Sequence, residues 1–293
     1  MTPPPTVRPI GGATGVYGVT GWPVSHSLSP AMHNAGFAAL EMDAVYVPFP
    51  IAPENLDIAV RGLFAAGVAG LNVTIPHKEA MLAVVDDLSP IAAAVGAVNT
   101  VWLDRGILRG DNTDVAGLMR AVARDGARLD GRVVVLGAGG AAKAAVQAVL
   151  LSGGDAVVLN RTVERAEELA NAANTLWEAE RVEAGALYET DAADAMREAK
   201  ALINATSVGM GEPEATPFPW KHLLRSDVYV FDTIYTPAET RLLREARAAG
   251  CRARNGLAML VEQGAESFRI WTRREPAVEA MEQAALAALA ARG

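Results

Sequence analysis

The chain contains a single cysteine, Cys251, in 293 residues. A lone cysteine closes no internal disulfide and completes no multi-cysteine zinc site, and the cytoplasm is the compartment that suits it. "AAGCRAR" reads as the start of a short strand after a helix, a poor setting for a nucleophile. Only 4 histidines occur, and no two stand at a metal-ligand spacing, so no metal site is expected. No stretch approaches the roughly 18 apolar residues of a membrane span. The Pro- and Gly-rich start, "MTPPPTVRPIGGATG", lacks the apolar segment of a signal peptide and the arginines of a transit peptide; its first dozen residues are expected to form a mobile tail. Positive charge is also short. A formal net charge of −8 argues against nucleic acid as the main partner, but leaves room for a local cationic pocket holding a small anion. Aromatics make up 5%, and alanine takes their place, which points to closely packed Ala-rich helices.

What is present is an ordinary core-forming composition, 51% hydrophobic and 20% charged, at a length that suits two domains. Strand "GVYGVTG", helix "SPAMHNAGFAAL", strand "AVYVPFPI", helix "APENLDIAVRGLFAAG" and strand "VAGLNVTIP" alternate with short loops. That order predicts a mostly parallel sheet with helices on its faces. Ser29 reads as the first helix's N-cap with Pro30 after it, and Leu56, Ala59, Val60 and Leu63 share one face of the second. "GAVNTVWLDRGILRGDNTD" instead holds two alternating runs meeting at Asp104-Arg105-Gly106, a hairpin. A helix capped by Thr113 or Asp114 follows, and the crossing between domains is placed there. From Gly131 a second strand–helix series begins. The expected domains are 1–113, rejoined by terminal helices over 256–293, and a Rossmann-like domain over 114–255, separated by a cleft.

"VVVLGAGGAAKA" places a glycine turn between an apolar strand and a helix. Gly137 permits the tight turn, Gly139 and Gly140 let a phosphate approach the backbone, and Ala141 keeps the helix start open. A bare glycine turn is weak evidence; its position after a strand and before a helix is what makes it a dinucleotide loop. The next strand ends Asn160-Arg161-Thr162, with Arg165 one turn on, where an NAD site usually has an acidic residue. With Thr162 as N-cap, Arg165 is a cation at the third helical position, opposing the macrodipole where a capping box wants Glu. A solvated surface arginine is the plain alternative. An anion held by Arg161 and Arg165 removes the conflict, and the 2′-phosphate of NADP is the fitting one.

In "GWPVSHSLSPAMHN", Ser25, Ser27 and Ser29 alternate between a strand and a helix. Hydroxyls near a helix N-terminus suit a carboxylate, though an ordinary polar loop reads the same way. His26 and His33 are read as local hydrogen-bonders. "VSHSLSPAMHN", "NVTIPHKEA", "GAVNT", "GDNTD", "GAGGA", "NRTVERA", "INATSVGM" and "GLAMLVEQGA" occur in the order seen in shikimate dehydrogenases, and from Tyr17 to Trp271 the chain resembles that family. The resemblance implies NADP-linked reduction of 3-dehydroshikimate to shikimate, on the way to chorismate and the aromatic amino acids. It further implies that Ser27 and Ser29 bind the substrate carboxylate, that Thr74, Asn99 and Gln263 hold ring hydroxyls, and that Lys78 and Asp114 are the catalytic pair. Tyr235 matches a substrate-side tyrosine. Gly137, Ala138, Gly139, Gly140 and Ala141 match one cofactor loop, and Asn160, Arg161, Thr162 and Arg165 the other. Thr233, Gly256 and Met259 match the nicotinamide end. His77 departs from the family's usual aromatic, which is expected to change packing rather than chemistry.

Lys78 is one of four lysines against 22 arginines. Reducing a ketone needs a proton on oxygen, and the reverse reaction needs it removed. Arginine keeps its proton in proteins, whereas lysine gives it up, most readily when desolvated. A carboxylate at Asp114 would orient the ammonium, and cleft closure would assemble the two. The plain reading of Lys78 is a surface residue paired with Glu79 or Glu41. Three competing functions are a quinate/shikimate dehydrogenase using NAD, a non-catalytic sensor of shikimate or NADPH, and a methylenetetrahydrofolate dehydrogenase. The arginines oppose the first, retention of Lys78 and Asp114 the second, and the serines with "GDNTD" the third. The expected partners are small molecules; the sequence does not give the oligomeric state, and a homodimer is compatible with it.

Overall fold

A computed structural model describes residues 9–291. The tail expected over the first dozen residues lies outside the described residues as far as residue 8. By residues 11–14 the chain is already tied down: the Thr14 hydroxyl accepts from the Gly11 N–H (2.9 Å) and donates to Asp43 (2.7 Å).

The chain divides into two compact units, one running to Thr113 and resuming at Val261, the other Asp114–Leu260. The first contains β1 (Gly15–Gly21), α1 (Ser29–Ala39), β2 (Ala44–Pro50), α2 (Leu56–Ala65), β3 (Val68–Val73), β4 (Asp87–Leu88), α3 (Pro90–Val95), β5 (Thr100–Asp104) and β6 (Ile107–Asp111). Its sheet order is β2-β1-β3-β5-β6-β4. The three strands of the β-α-β-α-β run are mutually parallel, as short right-handed crossovers require. β5 and β6 form the antiparallel hairpin, and its two turn residues, Arg105 and Gly106, take φ of 53° and 84°, the type I′ geometry that matches strand twist. Helix α3 is an addition to the expected elements. Its signals are nonetheless local: the Ser89 hydroxyl accepts from the Ala92 N–H (3.0 Å), Pro90 begins the helix, and Gly96 closes it in the left-handed region.

One face of this sheet packs Leu71, Val73 and Val101 against Val60 and Phe64 of α2. The other packs Tyr17, Val19 and Tyr46 against Phe37 of α1 and Phe268.

The second unit contains α4 (Asp114–Arg124), β7 (Arg132–Leu136), α5 (Gly140–Leu151), β8 (Asp155–Asn160), α6 (Val163–Trp177), β9 (Val182–Ala186), α7 (Glu189–Met196), β10 (Ala201–Asn204), β11 (Tyr229–Asp232), α8 (Arg241–Ala248) and β12 (Arg252–Arg254). All six strands are parallel, in the order β12-β11-β10-β7-β8-β9. The chain leaves β7 in one direction and returns beside it as β10, so the topological switch point falls at the end of β7. Val133, Val134, Val135 and Leu136 are all 0% exposed, the continuous apolar run of a strand covered on both faces. Helix α9 (Leu257–Thr272) begins in this unit and ends in the first, where α10 (Val278–Ala290) packs on α1.

Candidate active site

In the first unit, β1, β3 and β6 end, and β5 begins, at one edge of the sheet. The loops there are bonded to one another. The Trp22 N–H donates to the Ile75 carbonyl (3.1 Å), joining the loop that carries Ser27 and Ser29 to the one that carries Thr74 and Lys78. The Val98 N–H donates to the Lys78 carbonyl (2.8 Å). Next to it, Asn99 Oδ1 accepts from the Thr113 N–H (2.8 Å) and hydroxyl (3.1 Å). Ser27, Ser29, Thr74, Lys78 and Asn99 are therefore gathered at one sheet end, with Lys78 half-buried. Asp114 follows Thr113 directly, is buried, and opens α4 with a carboxylate where the helix dipole favours one.

Two local expectations need correction. Ser29 is the first residue of α1, not its cap, and the cap position is Leu28; the hydroxyl that meets a helix-start N–H is that of Ser27, which accepts from Ser29 N (3.2 Å). The Thr113 hydroxyl, at the start of α4, donates to Asn99 Oδ1 (3.1 Å). His33 is not a hydrogen-bonder. Its ring stacks on Tyr46 (4.3 Å between centroids, 5°), and neither nitrogen has a hydrogen-bond partner. Burial lowers its pKa to about 3, against an opposing pull from the Asn72 amide. His77 is buried as well, with Nε2 2.7 Å from the Ile51 carbonyl, a packing role. His26 is exposed.

Sequence reasoning missed the polar residues beneath this edge. Asn72, Thr100, Thr113 and Ser267 are all buried and mutually bonded. The signal was an asparagine inside an otherwise apolar strand, "GLNV", which must be satisfied internally. Ser267 lies one helical turn after Gln263 on α9, with its hydroxyl oxygen 3.1 Å from the Gln263 carbonyl.

In the second unit, every predicted cofactor residue lies at or beyond the carboxyl end of a parallel strand, the position where open α/β sheets bind ligands. Gly137, after β7, has φ of 101°, which a side chain rarely adopts. Gly139 caps α5 and no side chain accepts from that helix's first N–H groups. A Cβ added at Gly139 or Gly140 would meet nothing within 4 Å, so open space lies over the helix start. Asn160 ends β8 and donates to the Thr162 carbonyl (2.8 Å). Thr162 is the N-cap of α6, which sets Arg165 at the third helical position. Both Arg161 and Arg165 are exposed, and neither guanidinium makes an ion pair or hydrogen bond among the described residues. An uncapped helix start under open space, with two unpaired guanidinium groups at the neighbouring strand end, fits a dinucleotide that carries an extra phosphate.

The strand ends beyond β10 and β11 are held by groups that sequence reasoning did not name. Asp232 is 0% exposed and carries no cationic partner among the described residues; it accepts from Asn204 Nδ2 (2.9 Å), the Ile234 N–H (3.1 Å) and the Thr240 hydroxyl (2.6 Å). Burial raises its pKa against those hydrogen bonds. Asn204 Oδ1 in turn accepts from Thr206. These bonds fix the segment of Thr233 and Tyr235. The Gly256 N–H donates to the Ile234 carbonyl (3.0 Å), and a Cβ at Gly256 would stand 2.0 Å from the Thr233 carbonyl oxygen, so only glycine permits that approach. Met259, a turn later, is buried.

Cys251 is buried, donates to the Arg225 carbonyl (3.0 Å), and has its thiol pKa raised by burial, which agrees with its reading as inert. Among the described residues no group of three or more His, Cys, Asp or Glu is placed to hold a metal ion, and no helix is long and apolar enough to cross a membrane.

Three family descriptions match the chain: "Shikimate dehydrogenase substrate binding domain" over residues 19–101, "Shikimate / quinate 5-dehydrogenase" over 122–210, and "Shikimate 5'-dehydrogenase C-terminal domain" over 256–286. The NADP(+) shikimate dehydrogenase of Halorubrum lacusprofundi is 49% identical over 283 residues, covering 94% of this chain and 99% of the relative. Among solved structures, shikimate 5-dehydrogenase of Thermus thermophilus, in complex with NADP(H) and shikimate, superposes with a TM-score of 0.85 at 39% identity, covering 94% of this chain and 100% of that one. Quinate dehydrogenase of Corynebacterium glutamicum, in complex with NAD, gives 0.85 at 33% identity over 94% and 99%.

Proposed function

Since the chain belongs to the shikimate dehydrogenase family, we propose that it interconverts 3-dehydroshikimate and shikimate with NADP, in the pathway to chorismate and the aromatic amino acids. The observation that carries the reading is the gathering of Thr74, Lys78 and Asn99 at one sheet end, bonded through Val98 and Thr113, immediately before Asp114.

The bound cofactor supplies the hydride in one direction and accepts it in the other. The chain's own groups do the rest. Lys78 gives a proton to the ketone oxygen in reduction and takes it from the alcohol in oxidation. Asp114, as carboxylate, accepts from the hydroxyl beside the reacting carbon. Ser27 and Ser29 hold the substrate carboxylate, Thr74, Asn99 and Gln263 the ring hydroxyls, and Tyr235 contributes from the substrate side. Because Asn99 Oδ1 is taken by Thr100 and Thr113, a ligand contact from Asn99 comes from Nδ2.

On the second unit, backbone N–H groups over Gly137, Ala138, Gly139, Gly140 and Ala141 receive the pyrophosphate. Asn160, Arg161, Thr162 and Arg165 receive the adenosine end, with both arginines on the 2′-phosphate. Thr233, Gly256 and Met259 line the nicotinamide end. We assign substrate binding to the first unit and NADP binding to the second, a cytoplasmic location from the lone buried cysteine, and a homodimer as the assembly to be tested by light scattering.

A spectrophotometric assay of shikimate and quinate, each against NADP and NAD, tests the reading. Turnover is expected with shikimate and NADP; faster turnover of quinate with NAD would replace it with the quinate/shikimate alternative.

A further inference from the structure

Resting on that functional reading, we infer that Ser267 is a positioning residue whose hydroxyl, by donating to Thr100 Oγ1, holds the Thr100 hydroxyl on Asn99 Oδ1 and so helps keep the Asn99 side chain in place with Nδ2 toward the substrate. Hydroxyl and amide protons run in one direction through a buried chain. The Tyr46 hydroxyl donates to Asn72 Oδ1 (2.7 Å), which commits Asn72 Nδ2 to donating. That nitrogen donates to Ser267 Oγ at 2.9 Å. Ser267 has one proton, and Thr100 Oγ1 at 2.8 Å is nearer than the Gln263 carbonyl at 3.1 Å or Thr113 Oγ1 at 3.2 Å. Thr100, receiving from Ser267, directs its own proton to Asn99 Oδ1 (2.9 Å).

The Thr113 N–H and hydroxyl converge on the same oxygen. With Oδ1 taken by three donors, the amide turns Nδ2 outward as a donor to a substrate hydroxyl. Asn72 is 5% exposed, Thr100 and Ser267 0% and Thr113 1%, so a misdirected proton here finds no water to correct it. The hydroxyl also sits one turn from Gln263 and touches the residue before Asp114, so a single atom touches three of the segments assigned to substrate.

Removing the hydroxyl leaves Asn72 Nδ2 with the Asn99 carbonyl (3.1 Å) and Thr100 Oγ1 (3.3 Å), so the strands keep their bonding and Ser267→Ala should fold. What is lost is the 2.8 Å donor that holds Thr100 Oγ1 in place against Asn99, while the Thr113 N–H still bonds Oδ1. The expected result is a shikimate KM raised about tenfold, the worth of one lost buried hydrogen bond. KM for NADP and the melting temperature should stay near wild type, because no group of the second unit belongs to the chain of bonds.

Thr100→Val breaks the same relay from its other side and should give the same split, with the double variant no worse than either single one. An active Ser267→Ala enzyme with unchanged shikimate KM, or fully additive effects in the double variant, overturns the positioning role while leaving the activity assignment intact. If Ser267→Ala loses its fold, Thr100→Val alone decides: a raised shikimate KM supports the role and an unchanged one overturns it. Wild-type protein inert toward shikimate with NADP is a different failure, that of the functional reading itself.

Discussion

A lysine among arginines carries the chemistry proposed here, and its replacement gives the most direct residue-scale test. Lys78→Ala should lose about 10²–10⁴ in turnover, the usual worth of a positioned acid–base group, with little change in shikimate KM. A loss of less than about tenfold would remove the proton-transfer role. His33 gives a second test, in stability rather than rate. Exposed in the unfolded chain, its imidazole takes a proton near 6.5; buried in the fold, it takes one only near 3. The unfolded state therefore binds the extra proton first. Above pH 6.5 the site adds no protonation penalty, and stability drains away as pH falls from there toward 3, by about 1.4 kcal/mol per pH unit for this one site. Denaturation measured between about pH 7 and 5 should show a shallower acid slope in His33→Leu than in wild type. Equal slopes would mean that His33 is not the group being charged. Lys78 was legible in the sequence because its type was out of keeping with the chain. The isolation of His33 was not, because "AMHNA" looks the same whether the ring meets a partner or an aromatic wall.

Helix ends account for much of the proposed cofactor assignment, and on that proposal one of them trades stability for binding. Arg165 occupies the third position of α6 behind an N-cap threonine, where the dipole and the capping-box pattern both favour glutamate. Arg165→Glu should raise the stability of the ligand-free protein by about 0.3–1 kcal/mol. The same change should weaken NADP by roughly 10–100-fold, with NAD much less affected, since a charge-assisted bond to phosphate is exchanged for repulsion. Thermal melts and the ratio of NADP to NAD turnover check the two halves separately. A variant that stabilises the protein but keeps its NADP preference would show that the anion is not held at Arg165. Strand–helix alternation, the type I′ hairpin and the glycine turn could all be read locally because each rests on residues adjacent in the chain. Helix α3 could have been, from Ser89, Pro90 and Gly96. The misplaced cap on α1 could not, because whether Ser27 or Ser29 meets the helix N–H depends on how the preceding loop folds back.

Taken whole, the chain builds its first unit from both of its ends. Met281 of α10 is 0% exposed and lies so close to α1 that a Cβ on Gly36 would meet its Cγ at 3.1 Å. Met281→Ala should therefore destabilise the protein by about 2–5 kcal/mol, in the manner of other large-to-small core changes. Chemical denaturation would read it, and a loss below about 1 kcal/mol would show that α10 is dispensable to that core. The abundance of arginine has a reading at this scale too. Much of it is spent on exposed pairs such as Arg132–Glu183 and Arg181–Asp155, which individually contribute little. Arg161 and Arg165 are unpaired among the described residues, as Arg105 at the hairpin turn also is, and are distinguished by standing together beyond the end of β8.

Taken by itself, the sequence determined the two α/β halves, the glycine turn, the pair of arginines beyond the second strand of the second unit, and the lysine that stands out by its type. All of these follow from short-range patterns in backbone geometry, charge and residue type. Only the tertiary structure decided the buried chain from Tyr46 through Asn72, Ser267 and Thr100 to Asn99, and the cation-free carboxylate of Asp232. Directly bonded partners in that chain lie up to 195 residues apart, as Asn72 and Ser267 do, and a hydrogen bond's direction depends on which neighbour has already given its proton.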